Sequence, residues 1–281
     1  MGSSRAQEPS DQEPYYRWDF PDGTPWARFY RSTSGFVLRF PGLADFEVSV
    51  DGRHVSCAPA PGTSRAAAEH LYLNQVLPLA LSKLGKLVFH ASSVEVEGSV
   101  VAFVAQAGRG KSTLAASFAV NGYRFLGDDG LHLEPSDQDY LVMPSHPSIR
   151  LWEDSQDQLV SADAQKAPAL EFTSKSRFLA GDMLPHCNSP TPLRAAFFLG
   201  EGETERTILR PLGAIEAVLE WTKHSFLLEV EDRVTNHAHF ERIAALAGAV
   251  PCYFLDYPRR YSGLASLRQI IIDVLSSKST V

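Results

Sequence analysis

The chain has 281 residues, 44% of them hydrophobic and 21% charged, with a formal net charge of −7, which suits a globular protein holding one large domain or a core with an appendage. No Lys/Arg-rich run interrupts the acidic balance, so a nucleic-acid partner is not expected. No apolar stretch approaches about 18 residues and the polar start Met1-Gly2-Ser3-Ser4-Arg5 lacks an apolar core, so neither a membrane nor a signal peptide is expected and a cytoplasmic location is.

Residues 1–14, built of Ser, Gln, Asp, Glu and Pro, read as a disordered N-terminus. Residues 15–85 read as a β-rich segment plus a helix. Strand patterns fall at Ala27 to Arg31, Gly35 to Phe40 and Phe46 to Val50, and the Asp51-Gly52 turn leads into Arg53 to Cys57 as a hairpin. From Ser64 to Leu84, the residues Leu73, Val76, Leu77, Ala80 and Leu84 recur at helical spacing, Gly85 stops the pattern, and Pro78 predicts a kink or a split helix.

Residues 86–281 read as one catalytic domain, and its densest signal comes early. Ser99 to Val104 is apolar and β-branched, as a strand buried on both faces would be. It runs into Ala105-Gln106-Ala107-Gly108-Arg109-Gly110-Lys111-Ser112, which has the A/G-x4-G-K-S/T spacing of a phosphate-binding loop, and then into a helix from Ser112 to Val120 ended by Asn121-Gly122. A glycine-rich turn with a chance lysine would not need that flanking strand and helix. In such a loop the backbone of Gln106, Ala107, Gly108, Arg109, Gly110 and Thr113 converges on a nucleotide's phosphates. Lys111 reaches toward the β/γ oxygens and the Ser112 hydroxyl ligates Mg²⁺. ATP and Mg²⁺ are the expected cofactors.

The next strand, Tyr123 to Gly127, delivers Asp128-Asp129-Gly130 at its carboxyl end, where ligands bind in open α/β sheets. One carboxylate can hold the metal while the other orients or deprotonates an attacking hydroxyl. Upstream, His90 ends Leu87-Val88-Phe89-His90 and precedes a strand and the Glu97-Gly98 turn; alone it reads as a structural histidine.

Further on, Leu131 to Glu134 and Tyr140 to Met143 form a hairpin pattern, followed by Ser148-Ile149-Arg150-Leu151-Trp152. Trp152 reads as a packing anchor, with adenine stacking as the alternative. Asp163 to Pro192 shows little periodicity and reads as a mobile acceptor-binding loop, in which Lys175-Ser176-Arg177 would clamp phosphate or an acidic peptide, or simply form a solvated turn. Then come a strand at Leu193 to Leu199, a helix at Leu212 to Trp221 with Ile215, Val218 and Leu219 inward, and a helix at Asn236 to Ala247 with Phe240, Ile243, Ala244 and Ala247 inward. On that second helix His237 and His239 face different ways and share no metal. A strand at Cys252 to Asp256 and a helix at Leu264 to Leu275 complete the chain. Cys57, Cys187 and Cys252 are widely spaced and indicate neither a disulfide framework nor a zinc site.

Taken jointly, His90, Glu97-Gly98, Ala105 to Ser112, Asn121-Gly122 and Gly127-Asp128-Asp129 resemble, in order and spacing, the catalytic domain of the bacterial HPr kinase/phosphorylases. The match is close over about forty residues. The resemblance implies an α/β fold, a P-loop kinase core of the HPr kinase C-terminal and phosphoenolpyruvate carboxykinase-like type, here with an N-terminal β-rich segment. It implies Lys111 and Ser112 on phosphates and Mg²⁺, Asp128 as the base toward the acceptor hydroxyl, Asp129 as a metal ligand and His90 as an accessory phosphate-side group. The family's glutamate-arginine-glycine signature is replaced by Ser148 to Trp152. Arg150 would keep the transition-state cation, while the missing glutamate and glycine speak against phosphorylase activity and against HPr as substrate. The chain thus resembles the divergent HPr-kinase-like group, some of which phosphorylate a serine of a precursor peptide in natural-product maturation, the lasso type included. The expected activity is ATP-dependent transfer to a serine of a peptide or small protein, with Lys175 and Arg177 on the acceptor side. A small-molecule alcohol kinase and a non-catalytic nucleotide-binding regulatory module are the alternatives, and a homo-oligomer is a candidate assembly.

Overall fold

The computed structural model describes residues 2, 4–137 and 139–276. They divide into two compact units, Met1–Lys86 with Leu170–Thr173 and Leu227–Asn236, and Leu87–Ala169 with Ser174–Phe226 and His237–Val281.

The first unit is built on a five-stranded antiparallel meander, β1 (Tyr16–Asp19), β2 (Pro25–Ser32), β3 (Gly35–Phe40), β4 (Ala44–Ser49) and β5 (Val55–Pro59), paired in sequence order. Period-two patterning buries Ala27 and Phe29 on β2, and Phe46 and Val48 on β4. The turn at Asp51-Gly52 forms as its sequence requires, with Gly52 at φ 73°. The stretch read from composition as disordered is anchored at Gln7, whose side chain donates to Phe40 O at 3.1 Å and to Asp45 Oδ1 at 2.8 Å. Residues 1 and 3 of it lie outside the described residues.

The helix foreseen over 64–84 is one continuous helical run interrupted by a π turn rather than split, with Leu71, Tyr72, Val76 and Leu77 all right-handed helical. Ser64 caps α1 (Arg65–Leu71) by accepting from Ala67 N, a π turn covers Tyr72–Val76, and α2 (Leu77–Lys83) follows. Pro78 directly follows the π turn, where the wider turn accommodates a residue that has no N–H to donate to the preceding turn.

The second unit is mixed α/β. In chain order it contains β6 (Leu87–Phe89), β7 (Ala91–Val96), β8 (Ser99–Val104), α3 (Lys111–Ala119), β9 (Phe125–Gly127), β10 (Leu131–Pro135), β11 (Tyr140–Met143), β12 (Ser148–Leu151), α4 (Glu153–Leu159), β13 (Ser176–Leu179), β14 (Thr191–Leu199), β15 (Ile208–Pro211) and α5 (Ala214–Lys223). Then come α6 (Arg233–Ala249), whose first turn belongs to the first unit, β16 (Cys252–Asp256) and α7 (Leu264–Ser276). Nine strands form a mixed sheet ordered β6-β10-β11-β14-β8-β7-β9, with β16 parallel to β14 and β15 antiparallel to β16. The parallel strands β8, β14 and β16 are apolar runs because both sheet faces are covered. Along β14 the pleat sends Phe197 and Leu199 into a core shared with α3 and α7, and Ala196 and Phe198 into a core shared with α5 and α6. No helix among the described residues is long and apolar enough to cross a membrane.

Two helical phases differ from expectation. In α5, Ala217 and Trp221 are buried, while Ile215 is 78% exposed and Leu219 53%. In α6 the inward stripe is His239, Ile243 and Leu246, leaving Phe240 half exposed. Each helix carries apolar residues on two stripes, and in α5 the larger burial of the Trp221 ring selects the phase.

Candidate functional site

The site lies wholly in the second unit, at the carboxyl end of β8. Buried Val100 to Val104 fix that strand in the middle of the sheet, and the chain leaves it through a loop whose Gly108 and Gly110 have φ of 81° and 85°, values open to glycine at no steric cost. Ala105, where a glycine is commoner, is buried with an ordinary φ. Gly110 caps α3 without any side-chain hydrogen bond, so the first-turn N–H groups retain their donor capacity for an anion. Gln106, Ala107 and Gly108 are exposed above Lys111, which is 4% exposed and donates to Gln106 O at 3.0 Å. Burial is the main cause that brings the Lys111 ammonium down to about 8, with Lys175 and Arg150 adding to it against the pull of the two aspartates.

Strand β9 is held close to its surroundings by Gly127, where a Cβ would stand 2.5 Å from Ser145 Oγ. Beyond it, Asp128 and Asp129 are both buried but are served differently. Asp128 Oδ1 accepts from Ser92 Oγ at 2.6 Å and from Ser112 Oγ at 2.8 Å, and its Oδ2 from the Arg150 backbone N–H at 2.9 Å. Asp129 has a left-handed φ of 64°, a conformation that side-chain-bearing residues adopt at an energetic cost and that concentrates at functional sites. Its Oδ2 accepts from Arg150 Nε at 2.8 Å and Nη2 at 2.5 Å, and its Oδ1 lies 3.5 Å from His90 Nε2.

The charges follow from this packing. Burial and the neighbouring Asp129 raise the Asp128 carboxyl above its ordinary value, against the three hydrogen bonds it accepts. Burial acts in the same direction on Asp129, but Arg150, His90 and Lys175 outweigh it and hold that carboxyl well below the ordinary value. Burial, then the charge of Lys111, lower His90 below its ordinary value, against the pull of Asp129 and Asp128.

Arg150 reaches Asp129 from β12, which pairs with β13 so that Arg150 stands opposite Arg177. Directly opposed residues share a sheet face, and like charges there are unfavourable, so the pair is explained better by a need for positive potential than by stability. Residues Ser176–Leu179 are therefore a strand, which corrects the mobile loop expected over 163–192. Lys175 is brought near Asp129, with its Nζ 5.2 Å from the centre of the Trp152 ring. Trp152 itself is 47% exposed and is no packing anchor.

Two residues at this site carry no sequence signal. Ser92 follows His90 by two positions and is identified only by its hydrogen bond to Asp128. His224 lies near enough to feel the charges of His90 and Lys111, its backbone O accepts from His90 N at 2.8 Å, and burial first, then those charges, push its imidazole down to about 4. Another link runs from Thr113 Oγ1 to Ser155 Oγ at 2.9 Å, on to the Tyr261 hydroxyl at 3.0 Å and to Asp154 Oδ2 at 2.7 Å, joining α3 to α4.

Among the described residues no group of three or more His, Cys, Asp or Glu could hold a metal ion. A cation at Ser112 and Asp128 would therefore take its remaining ligands from water and a bound phosphate, which is how Mg²⁺ ordinarily enters nucleotide sites.

No family model matches the chain, and no curated protein matches it. Among solved structures, the Hpr(Ser) kinase/phosphatase from Coxiella burnetii aligns at 12% identity over 68% of this chain and 98% of that one, with a TM-score of 0.37. The likeness is remote, and the functional reading rests on the geometry of the site.

Proposed function

We propose that this protein is a P-loop phosphotransferase that moves the γ-phosphoryl of Mg-ATP to an alcohol, with a serine of a peptide or small protein as the acceptor. The observation that carries the reading is the pairing of Ser112 with Asp128 at an uncapped, lysine-bearing helix start, beside a second carboxylate gripped by Arg150 and His90. Fit to the nucleotide is supported by the buried Lys111 ammonium and the open donors of α3. Mg-ATP, when bound, supplies an activated phosphoryl group whose charge the metal partly neutralises.

The roles of the protein's own groups follow. Loop amides and Lys111 bind phosphate oxygens; Ser112, with Asp128 beside it, holds the cation. The sequence expectation gave the metal to Asp129 and the base to Asp128, but the hydrogen bond between Ser112 and Asp128 favours the opposite division. Asp129 then faces the acceptor, kept ionised by Arg150, and takes the hydroxyl proton on a carboxylate oxygen as transfer proceeds. In a loose transition state little proton affinity is required of that group, and position matters more. His90 orients Asp129. Arg150, already aimed at this point, stabilises the charge that develops on the phosphoryl oxygens, and Lys175 and Arg177 extend the positive face toward an acceptor.

Mg-ATP binding measured by calorimetry, followed by mass spectrometry of serine peptides incubated with protein and Mg-ATP, tests the reading. It expects binding that Lys111→Ala weakens at least about tenfold and an added phosphate on a peptide serine. Absence of nucleotide binding would sink the whole proposal, and transfer confined to sugars, amino acids or polyols would replace the peptide by a small alcohol.

A further inference from the structure

The order of strands gives the site a direction. The aspartates end β9, two places from β8 on one side, while β14 and β16 lie on the other side and run parallel to β8. Their carboxyl ends therefore open onto the same edge as the phosphate loop. If the terminal phosphate faces Asp128 and Asp129, the opposite end of the donor points toward the segments that follow β14 and β16.

Those segments are built around one arginine. The Arg259 guanidinium lies 3.9 Å from the centre of the Tyr257 ring, donates to Gly200 O at 2.6 Å and to Tyr257 O at 3.2 Å, and is 3.7 Å from Asp256. Asp256 Oδ1 in turn accepts from Gly202 N and from Tyr257 N, at 2.8 and 2.9 Å. The cluster abuts the phosphate loop directly. A Cβ on Gly110 would stand 3.2 Å from the Tyr257 hydroxyl and 3.8 Å from Arg259, and one on Gly202 would collide with Arg259 Cγ at 2.6 Å. Arg109 closes the same side through Glu201 at 2.7 Å. Hydrogen bonds to backbone oxygens hold the guanidinium plane, a planar cation suits stacking on an aromatic base, and a lysine could not reproduce it.

We propose that Arg259, carried on the Tyr257 ring, is a nucleotide-binding residue that receives the nucleoside end of the donor. The inference rests on the phosphotransferase reading and adds to it the location of the base.

The test compares Mg-ATP with inorganic tripolyphosphate as ligands in calorimetry of the full chain. Wild type should bind Mg-ATP more tightly than tripolyphosphate. Arg259→Ala and Arg259→Lys should each weaken Mg-ATP by about tenfold, worth about 1.4 kcal/mol, and leave tripolyphosphate within about twofold, whereas Lys111→Ala should weaken both. Equal wild-type affinity for the two ligands overturns the inference without using any variant. So does wild-type Mg-ATP affinity in Arg259→Lys, or an equal loss of both ligands in Arg259→Ala, which would place the arginine on phosphate; the phosphotransferase reading survives all three results. Wild-type protein that binds neither ligand removes the phosphotransferase reading, and this inference with it.

Discussion

Two clusters of buried charge, one in each unit, are arranged differently. In the first unit Arg39 and Asp45 form a closed fork, Nε to Oδ1 at 2.9 Å and Nη2 to Oδ2 at 2.8 Å, with Gln7 and the Glu8 carbonyl satisfying what remains. In the second unit two adjacent carboxylates share Arg150, His90, Lys111 and Lys175, and their proton affinities move in opposite directions. A closed fork has little left to offer a ligand. An unevenly shared cluster keeps positive potential and one restrained carboxylate in place for a reaction, at some expense of stability.

The contrast is open to direct challenge. Its largest consequence is at Asp129: Asp129→Asn should lower phosphoryl transfer by about 10²–10⁴ with Mg-ATP affinity little changed, while the unfolding midpoint in urea falls because Arg150 loses its buried charge partner. Transfer at the wild-type rate would return the base to Asp128 or remove it altogether. In the closed fork the effect should be purely structural. Asp45→Ala strands the Arg39 guanidinium and should reduce unfolding free energy by about 3 kcal/mol, read from urea titration, with nucleotide affinity unaltered; a loss of affinity would mean that the fork is not isolated from the site.

Smaller effects refine the picture. Ser112→Ala removes a donor to Asp128, and the Mg²⁺ concentration needed for half-maximal transfer should rise by about tenfold, or about 1.4 kcal/mol. An unchanged requirement would separate Ser112 from the cation. The smallest effect is a pH slope. Lys111 loses its proton at about 8 in the fold against an ordinary 10.5, so between those values the unfolded chain binds more protons and ligand-free stability should rise with pH. Lys111→Met should abolish that rise, and urea titrations at several pH values would reveal it.

What could be read from the sequence was what is encoded locally. The run from β8 through the glycine loop into α3 carries its strand, its positive-φ positions and its helix within about twenty consecutive residues, so spacing alone located Lys111 and Ser112. Arg150 meets the aspartates across 22 and 21 residues of chain, its N–H on Asp128 and its side chain on Asp129, and Ser176–Leu179 is too short and too polar at its start to announce a strand before its partner is in place. The same holds for Ser92 and His224, whose neighbours are distant in sequence, and for α5 and α6, where two apolar stripes competed and only tertiary packing chose between them.

Strand β14 has a consequence for folding. Its first residues pair with β11, and from Leu193 onward it pairs with β8 on one edge and, from Ala196, with β16 on the other. Every arm of the nine-stranded sheet thus passes through one nine-residue segment, and none of its partners is its neighbour in sequence. Closing those long loops makes assembly of the sheet slow relative to the meander of consecutive strands in the first unit. Once formed, the amides of Ala196 to Phe198 alternate between the two arms, Ala196 N donating to Pro251 O on the β16 side, so release of one arm frees only part of them, and they should be among the slowest-exchanging hydrogens of the second unit.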